Sequence, residues 1–258
     1  MKKVLVLSLV ALVTMTMTSC FSVGIHNGDY DATPTQVPEI NKVTTMQPFD
    51  KVSVANAFKV IYEQGAEHSV RVEASEQAFK EMTVYVKGGE LRIRKAVKKL
   101  SPLVTFSDVK VYVSSPDIQH IELAGSGVFV ASDKIDVPND LNLEIAGSGK
   151  ILLADVNCKD AYMEIAGSGD IEIGNYAVKD AKAEIAGSGD INLAIMSCNK
   201  FNIEIAGSGN VTCSNIIAAD VHTEIAGSGN VTLKGKVNNC TKEIAGSGKV
   251  NYEELKTE

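Results

Sequence analysis

Seven glutamates occupy one position of a short repeat, and their carboxylates are the groups in this chain best placed to bind something. They are Glu122, Glu144, Glu164, Glu184, Glu204, Glu224 and Glu243. If the repeats stack in register, neighbouring carboxylates lie about 4.8 Å apart and repel one another. Either each carboxylate splays outward or accepts hydrogen bonds from serine hydroxyls or corner amides, or the column forms a stripe that binds a cation or another ligand.

A basic cluster is the second candidate contact surface. It consists of Arg92, Arg94, Lys95, Lys98 and Lys99, in a segment where Leu91 and Ile93 alternate with the first basic residues. The cluster is either the solvated face of a strand that runs into a polar loop or a contact with anionic lipid or polysaccharide.

Residue patterns typical of catalysis or metal binding do not occur in the sequence. The histidines His26, His68, His120 and His222 are scattered, and there is no His-x-x-x-His or Cys-x-x-Cys pair. A Gly-x-Ser-x-Gly nucleophile elbow is also missing. We therefore expect no catalytic residue, no metal site and no cofactor. A formal charge of −7 and the lack of tryptophan argue against nucleic acid as a partner.

A glycine corner marks the elements that must position the glutamates. Gly-Ser-Gly occurs seven times, and the steps between successive first glycines, from Gly125 to Gly246, are 22, 20, 20, 20, 20 and 19 residues. A repeat this short cannot bury its own core, so the copies must stack. Glycine suits a tight corner because it accepts positive φ and close backbone approach. We expect the serine hydroxyls, from Ser126 to Ser247, to pass hydrogen bonds along the stack.

Apolar residues alternate with polar ones on both sides of each corner, as in 141–145 before it and 170–173 after it. Period two within the strands and a period of about 20 along the chain predict an all-β fold, a right-handed parallel β-helix or β-solenoid. In that register Cys158 and Cys198 lie two coils apart, beyond disulfide reach, so we expect reduced, mostly buried thiols.

The N-terminal half of the chain has a different organisation. Residues 1–19 are typical of a secretory signal peptide, and the small residues before Cys20 resemble the lipobox of bacterial lipoproteins, which makes Cys20 the predicted lipidation site. Residues 20–45 are expected to form a flexible tether. Residues 46–117 are expected to form degenerate β-rich coils or a cap, with similar strands near 58–65, 83–89 and 108–115, and the regular solenoid to span 118–258.

The lipobox-like start, the strand-rich lead-in and the serial Ile-Ala-Gly-Ser-Gly-Asp-Ile corners resemble the putative auto-transporter adhesin, head GIN domain family of Bacteroidetes-type bacteria. The resemblance runs from about Phe49 to the end of the chain. It implies an exported, right-handed β-helical protein for which no biochemical activity is established.

These observations lead to one functional expectation and one alternative. The first is an exported cell-envelope lipoprotein, anchored at the outer membrane by its lipid alone and facing the periplasm or the cell surface. It would be non-catalytic and would bind glycan, envelope or protein surfaces through the solenoid faces, as an adhesin does. The alternative is a carbohydrate-active β-helix enzyme with its site in the irregular N-terminal part.

Overall fold

Each regular coil contributes one strand before the glycine corner and one after it, and equivalent strands of successive coils pair in parallel. The computed structural model describes residues 38–96, 106, 108–252 and 255–256. In the regular part the strands are β8 (His120–Gly125), β9 (Val128–Asp136), β10 (Leu141–Gly147), β11 (Lys150–Asn157), β12 (Asp160–Gly167), β13 (Asp170–Ala177), β14 (Asp180–Gly187), β15 (Asp190–Gly207), β16 (Asn210–Gly227), β17 (Asn230–Gly246), β18 (Lys249–Asn251) and β19 (Leu255–Lys256).

The register of these strands follows the sequence repeat. Glu144 pairs with Glu122 on one side and with Glu164 on the other, and the same step continues to Glu243. The predicted parallel β-solenoid is confirmed, with about 7 turns of about 20 residues. Its right-handed sense stays a prediction from the crossover rule.

The buried face of each strand explains why the coils stack in register. Ile145, Ile165 and Ile185 stand one above another, and each is at most 1 % exposed. A shift by one residue would turn this apolar row outward and put the glutamates inside. The hydrophobic pattern therefore selects the register.

The glycine corners have the two properties expected of them. Gly187, the first glycine of its corner, has φ +140°, and a Cβ there would come within 2.2 Å of the carbonyl oxygen of Gly167. Gly189, the second glycine, would place a Cβ 2.3 Å from the carbonyl oxygen of Gly169. Only glycine fits both positions, because any side chain would collide with the backbone of the previous coil.

The serine between these glycines does not act as expected. In the part of the chain that the structure describes, the corner serines are exposed or partly exposed, and their hydroxyls make no hydrogen bond to another residue. The ladder is carried by their backbone instead: the N–H of Ser188, for example, donates to the carbonyl oxygen of Gly167 at 2.8 Å. The predicted hydroxyl ladder is wrong because the backbone already satisfies the stack.

Residues before the regular part add two coil-like strand pairs and several antiparallel strands. The strands are β1 (Thr44–Thr45), β2 (Lys51–Ala55), β3 (Lys59–Gln64), β4 (Ser69–Glu73), β5 (Met82–Lys87), β6 (Glu90–Lys95) and β7 (Lys110–Ser115), with one short helix, α1 (Glu76–Lys80). β2 pairs in parallel with β6 and β8, and β3 with β7 and β9. The coil formed by β2 and β3 therefore lies between the coil of β6 and β7 and the first regular coil.

This order differs from the order of the chain. Val52 is the physical reason, because it lies opposite both Leu91 and Ile121, and all three side chains are fully buried. Of the three similar segments noted in the sequence, those near 58–65 and 108–115 stack in parallel as β3 and β7. The segment near 83–89 instead forms an antiparallel hairpin, in which β5 pairs with β6. Further antiparallel strands, β4 and β1, pair next to β7.

The last coil ends the apolar core with polar groups. Lys242 takes the position held by Thr223 one coil earlier, in a column that otherwise faces the core. Its ammonium lies 5.8 Å from the centre of the Tyr252 ring, and the Tyr252 hydroxyl is 2.8 Å from that of Thr223. A charged side chain at such an edge opposes further strand pairing.

The cysteines behave as small apolar residues. Cys158, Cys198, Cys213 and Cys240 are all free thiols, as expected, but only Cys158 and Cys213 are fully buried, whereas Cys198 and Cys240 are partly exposed. Burial raises the pKa of Cys158 and Cys213 to about 11 and that of Cys198 to about 12. Thiols that resist ionisation in this way are poor nucleophiles.

Candidate functional site

The glutamate column lies on the outer face of the strands that precede the corners, and the neighbouring column supplies its counter-charges. At the N-terminal end, the hydroxyl of Ser53 donates a hydrogen bond of 2.8 Å to Oε2 of Glu122. Lys182, two residues before Glu184, contacts Oε1 of Glu184 and lies 3.0 Å from Oε1 of Glu204. One ammonium group thus neutralises two rungs of the ladder.

Histidines occupy the same flanking column at other coils. Nε2 of His222 is 2.9 Å from Oε1 of Glu224, and Nδ1 of the same ring is 2.7 Å from the hydroxyl of Thr241. His120 lies farther from its neighbour, with Nδ1 3.8 Å from Oε1 of Glu144. Lys182 therefore offsets like-charge repulsion at Glu184 and Glu204, whereas a histidine does so at Glu144 or Glu224 only when its ring is protonated.

Glu164 sits at the weakest point of this compensation. The flanking residue of its coil is Tyr162, which is 48 % exposed and carries no charge. Burial, and then the carboxylates of Glu144 and Glu184, raise the pKa of Glu164, and Lys182 only partly opposes them. A depression of about 100 Å³ lies between these side chains.

A metal stripe finds little support in this geometry. Within the described ranges, no three His, Cys, Asp or Glu side chains come together in a way that could hold a metal ion. Each regular coil contributes one carboxylate to the column, and Lys182 or a histidine already contacts several of them. The contacts of Glu122, Glu184, Glu204 and Glu224 are of the kind that the first alternative expects, although the partners are a serine, a lysine and a histidine and not the corner serines. The choice between local compensation and a ligand stripe stays a prediction.

The basic cluster is only partly within the described residues. Arg92 and Arg94 lie on β6, and Nε of Arg92 is 2.7 Å from Oε2 of Glu90. The ammonium of Lys95 lies 5.9 Å from the ring centre of Phe106. Lys98, Lys99 and the predicted lipidation site Cys20 lie outside the described residues.

A groove on the other strand set was not anticipated from the sequence. Its volume is about 590 Å³. One wall is a column of outward side chains, one from each of five successive coils, made of Val130, Leu152, Glu172, Asn192 and Thr212. Small residues form its floor, among them Ala154, Gly174 and Ala194, and the apolar side chains of Leu153, Ile173 and Leu193 also line it. We call this feature the outer groove.

The bend that creates the outer groove has a sequence signal. Along β13, buried Ile173 and buried Tyr176 are separated by two residues outside the core, Gly174 and Asn175, so the strict alternation is broken. The same interruption occurs at the equivalent place in the neighbouring coils. The repeated interruption of the alternation by two residues would have predicted this bend from the sequence. It does not predict the width of the groove.

The polar groups of the outer groove are free to bind, unlike those of the adjacent column. In that adjacent column the amide of Asn210 donates to Asp190 at 2.8 Å, and the amide of Asn230 donates to Asn210 at 2.9 Å. Among the described residues, by contrast, the side chains of Glu172, Asn192 and Thr212 make no hydrogen bond with one another or with neighbouring residues. The groove therefore presents unused donors and acceptors at its surface.

Comparison with known protein families identifies the family of the chain. The family model described as "Putative auto-transporter adhesin, head GIN domain" matches residues 48–213 and 194–258. The chain belongs to this family. The resemblance noted in the sequence is thereby confirmed, and the matched residues include the glutamate column, the outer groove and most of the strands before the regular coils. No curated protein sequence matches the chain.

Solved structures of other proteins share the fold of this chain. A putative adhesin from Bacteroides fragilis superposes with a TM-score of 0.71 at 19 % identity, covering 81 % of this chain and 94 % of its own. A putative lipid binding protein from Parabacteroides distasonis gives 0.62 at 25 % identity, with 81 % and 94 % covered. A putative adhesin from the same species gives 0.62 at 16 % identity, with 83 % and 98 % covered.

Proposed function

We propose that this protein is an exported cell-envelope lipoprotein that binds other molecules without transforming them, in the manner of an adhesin. Its partners would be glycans or proteins of a cell surface, held against the faces of the solenoid. Membership of an adhesin family supports the general assignment. The observation that carries the binding role is the outer groove, whose polar side chains are not used by the fold.

The solenoid is well suited to such binding. Each groove side chain is fixed on a strand that pairs with a neighbour on both sides, so the wall is ordered before any partner arrives. Binding of a partner to such a preordered surface costs the protein little conformational entropy. Repeated strands also present one contact per coil, which fits an extended partner better than a compact one.

Export and lipid anchoring rest on the sequence. The apolar run after Lys2 and Lys3 and the small residues before Cys20 support cleavage at this cysteine and attachment of lipid to it. Among the described residues, none of the helices is long and apolar enough to cross a membrane. Mass spectrometry of the mature N-terminus tests this proposal: acylated Cys20 is expected, and an unmodified N-terminus elsewhere would contradict it. Protease shaving of whole cells would then establish which side of the outer membrane the protein faces.

Catalysis at the irregular N-terminal part is less well supported. In this region Arg71 contacts Glu73, the Tyr112 hydroxyl donates to it at 3.0 Å, and these contacts lower the pKa of Glu73. A general acid in glycoside cleavage requires the opposite shift. One structural neighbour is named as a lipid binding protein, and Ile173 and Leu193 line the groove of this chain as well. The outward wall is nevertheless polar in three of its five coils, which favours polar partners.

A binding and cleavage screen tests the proposed function. The exported chain is applied to arrays of cell-surface glycans and envelope proteins, and retained ligands are analysed for cleavage. Retention with intact ligands is expected. Reproducible cleavage that is abolished by substituting an N-terminal carboxylate would establish the enzyme alternative, and failure to retain any glycan or protein would refute the binding role.

A further inference from the structure

We infer that the outer groove is a site for an uncharged glycan chain that lies along the stacking axis of the coils. This inference rests on the proposed binding function and assigns it a location and a class of ligand. The wall residues Val130 to Thr212 come from five successive coils. Since coils repeat about every 4.8 Å, the wall is about 19 Å long, which suits a narrow chain of several sugar units.

The hydrogen-bonding groups of the groove match those of sugars. Glu172 offers carboxylate acceptors, Asn192 offers an acceptor and two donors, and the Thr212 hydroxyl offers both. A sugar hydroxyl both donates and accepts, so it can donate to the Glu172 carboxylate and can bond to Asn192 or Thr212 in either direction. Because the three side chains come from consecutive coils, they would contact consecutive positions along a glycan. No such series of unused groups occurs in the adjacent Asp190 to Asn230 column, where Asn210 donates to the Asp190 carboxylate and Asn230 donates to Asn210.

The apolar end of the groove fits a sugar face better than an acyl chain. Val130 and Leu152 provide an aliphatic surface over two coils, against which the C–H face of a sugar ring can pack. Beyond Leu152 the wall becomes polar for three coils. An acyl chain of similar length would lie against Glu172, Asn192 and Thr212 and would leave their polar groups unpaired.

The charges around the groove decide between neutral and acidic glycans. Glu172 is the charged member of the wall. In the adjacent column the ammonium of Lys150 already contacts the carboxylate of Asp170, and Asp190 follows one coil later. Apart from Lys150, the charges near the centre of the groove are negative, so uronic acids or sulfated sugars would meet repulsion there. The groove therefore favours glycans without charge.

The test is calorimetric titration of the full exported chain with two kinds of probe. The neutral probes are hexasaccharides of glucose, mannose and galactose, and the acidic probe is hexagalacturonate. Binding of at least one neutral probe is expected, with hexagalacturonate at least about tenfold weaker. Asn192→Ala and Thr212→Val are expected to weaken neutral binding by about threefold to tenfold each, since each removes a hydrogen-bonding group. Ala194→Trp, which fills the groove from its exposed floor, is expected to abolish it.

Matched variants separate the groove from the rest of the surface. Asn202→Ala makes the same change on the glutamate face, and Ala177→Trp adds the same ring at an exposed position that does not line the groove; both should bind as the unmodified chain does. Glu172→Lys should bring hexagalacturonate binding to within about threefold of neutral binding. Circular dichroism of every variant verifies that the fold is intact.

The possible failures have different meanings. Neutral binding that Ala194→Trp leaves unchanged would overturn the groove assignment while leaving the proposed binding function standing. Tighter binding of hexagalacturonate than of all neutral probes would overturn the inferred ligand class. If the probes do not bind but the array screen retains envelope proteins, the glycan inference is wrong and the binding function survives. If neither experiment finds a ligand, both are wrong.

Discussion

The glutamate face and the outer groove are built from the same coils, yet they use their polar side chains in opposite ways. In the glutamate face one residue type recurs in every regular coil, and Ser53, Lys182 and His222 contact four of its seven carboxylates. In the groove the residue changes from coil to coil. Its polar side chains make no hydrogen bond within the described chain, and the ammonium of Lys150 attracts the Glu172 carboxylate without bonding to it. The repeated glutamate column thus finds several of its contacts within the chain, whereas the varied column of the groove leaves its polar side chains available to a partner.

The largest expected effect concerns the corner on which both faces depend. Gly187→Ala should lower the free energy of unfolding by at least about 3 kcal/mol, because the new Cβ requires an unfavourable positive φ and collides with the carbonyl of Gly167. Chemical denaturation measures the change.

The neighbouring serine provides the control. Ser188→Ala should change stability by less than about 0.5 kcal/mol, since its stacking hydrogen bond comes from the backbone N–H. A loss as large as that of the glycine variant would restore the hydroxyl ladder and contradict the structure.

A smaller effect is expected at the central cation of the glutamate face. Lys182→Met should lower stability by about 1 kcal/mol at low salt, because Glu184 and Glu204 lose their shared counter-charge. The loss should shrink at high salt, where exposed charges are screened. Lys179→Met is the control, since that more exposed ammonium lies 3.6 Å from Asp180 outside the column. Equal losses in both variants would mean that the column needs no compensation.

The contribution of Glu164 to stability should depend on pH, which tests the same like-charge repulsion. Its pKa is raised in the folded state by burial and by Glu144 and Glu184, so its charged form destabilises the fold at neutral pH and protonation relieves this. Glu164→Gln should therefore stabilise the protein by less than about 1 kcal/mol at neutral pH. The gain should vanish as the pH falls below about 4.3, the ordinary value for glutamate in an unfolded chain.

Thermal unfolding across this pH range measures the effect. Glu243→Gln is the comparison, because Glu243 has a neighbouring carboxylate on only one side of the column and should give a smaller gain. A stabilisation of Glu164→Gln that grows as the pH is lowered would show that the sign of the argument is wrong.

The smallest expected effect is the response to calcium. Millimolar calcium should move the melting temperature by less than about 1 °C, because a ligand that does not bind the folded state cannot stabilise it. A rise of several degrees, lost in a Glu144→Gln, Glu164→Gln double variant, would establish the carboxylates as a cation stripe. The two faces would then both be binding surfaces, and the contrast between them would disappear.

Much of the regular solenoid could be predicted because its evidence is local and repeated. Each corner needs glycine in the same two places, and each strand carries the same alternation, so one coil predicts the next. The candidate sites were less accessible. The glutamate column was identified, but its partner Ser53 lies 69 residues before Glu122 in the chain and reaches it only through parallel pairing. The groove went unrecognised because its width depends on how neighbouring coils bend together.

The sequence by itself determined the repeat, the corner and the side of each strand that faces the core, since local backbone preference and hydrophobic alternation act within a few residues. Tertiary structure alone decided the order of the first coils, where Val52 lies between Leu91 and Ile121. It also decided which polar columns are compensated and which remain open. The physical reason is the same in both cases: partners that meet about 4.8 Å apart along the stack can be far apart in sequence, and their contact is settled by packing.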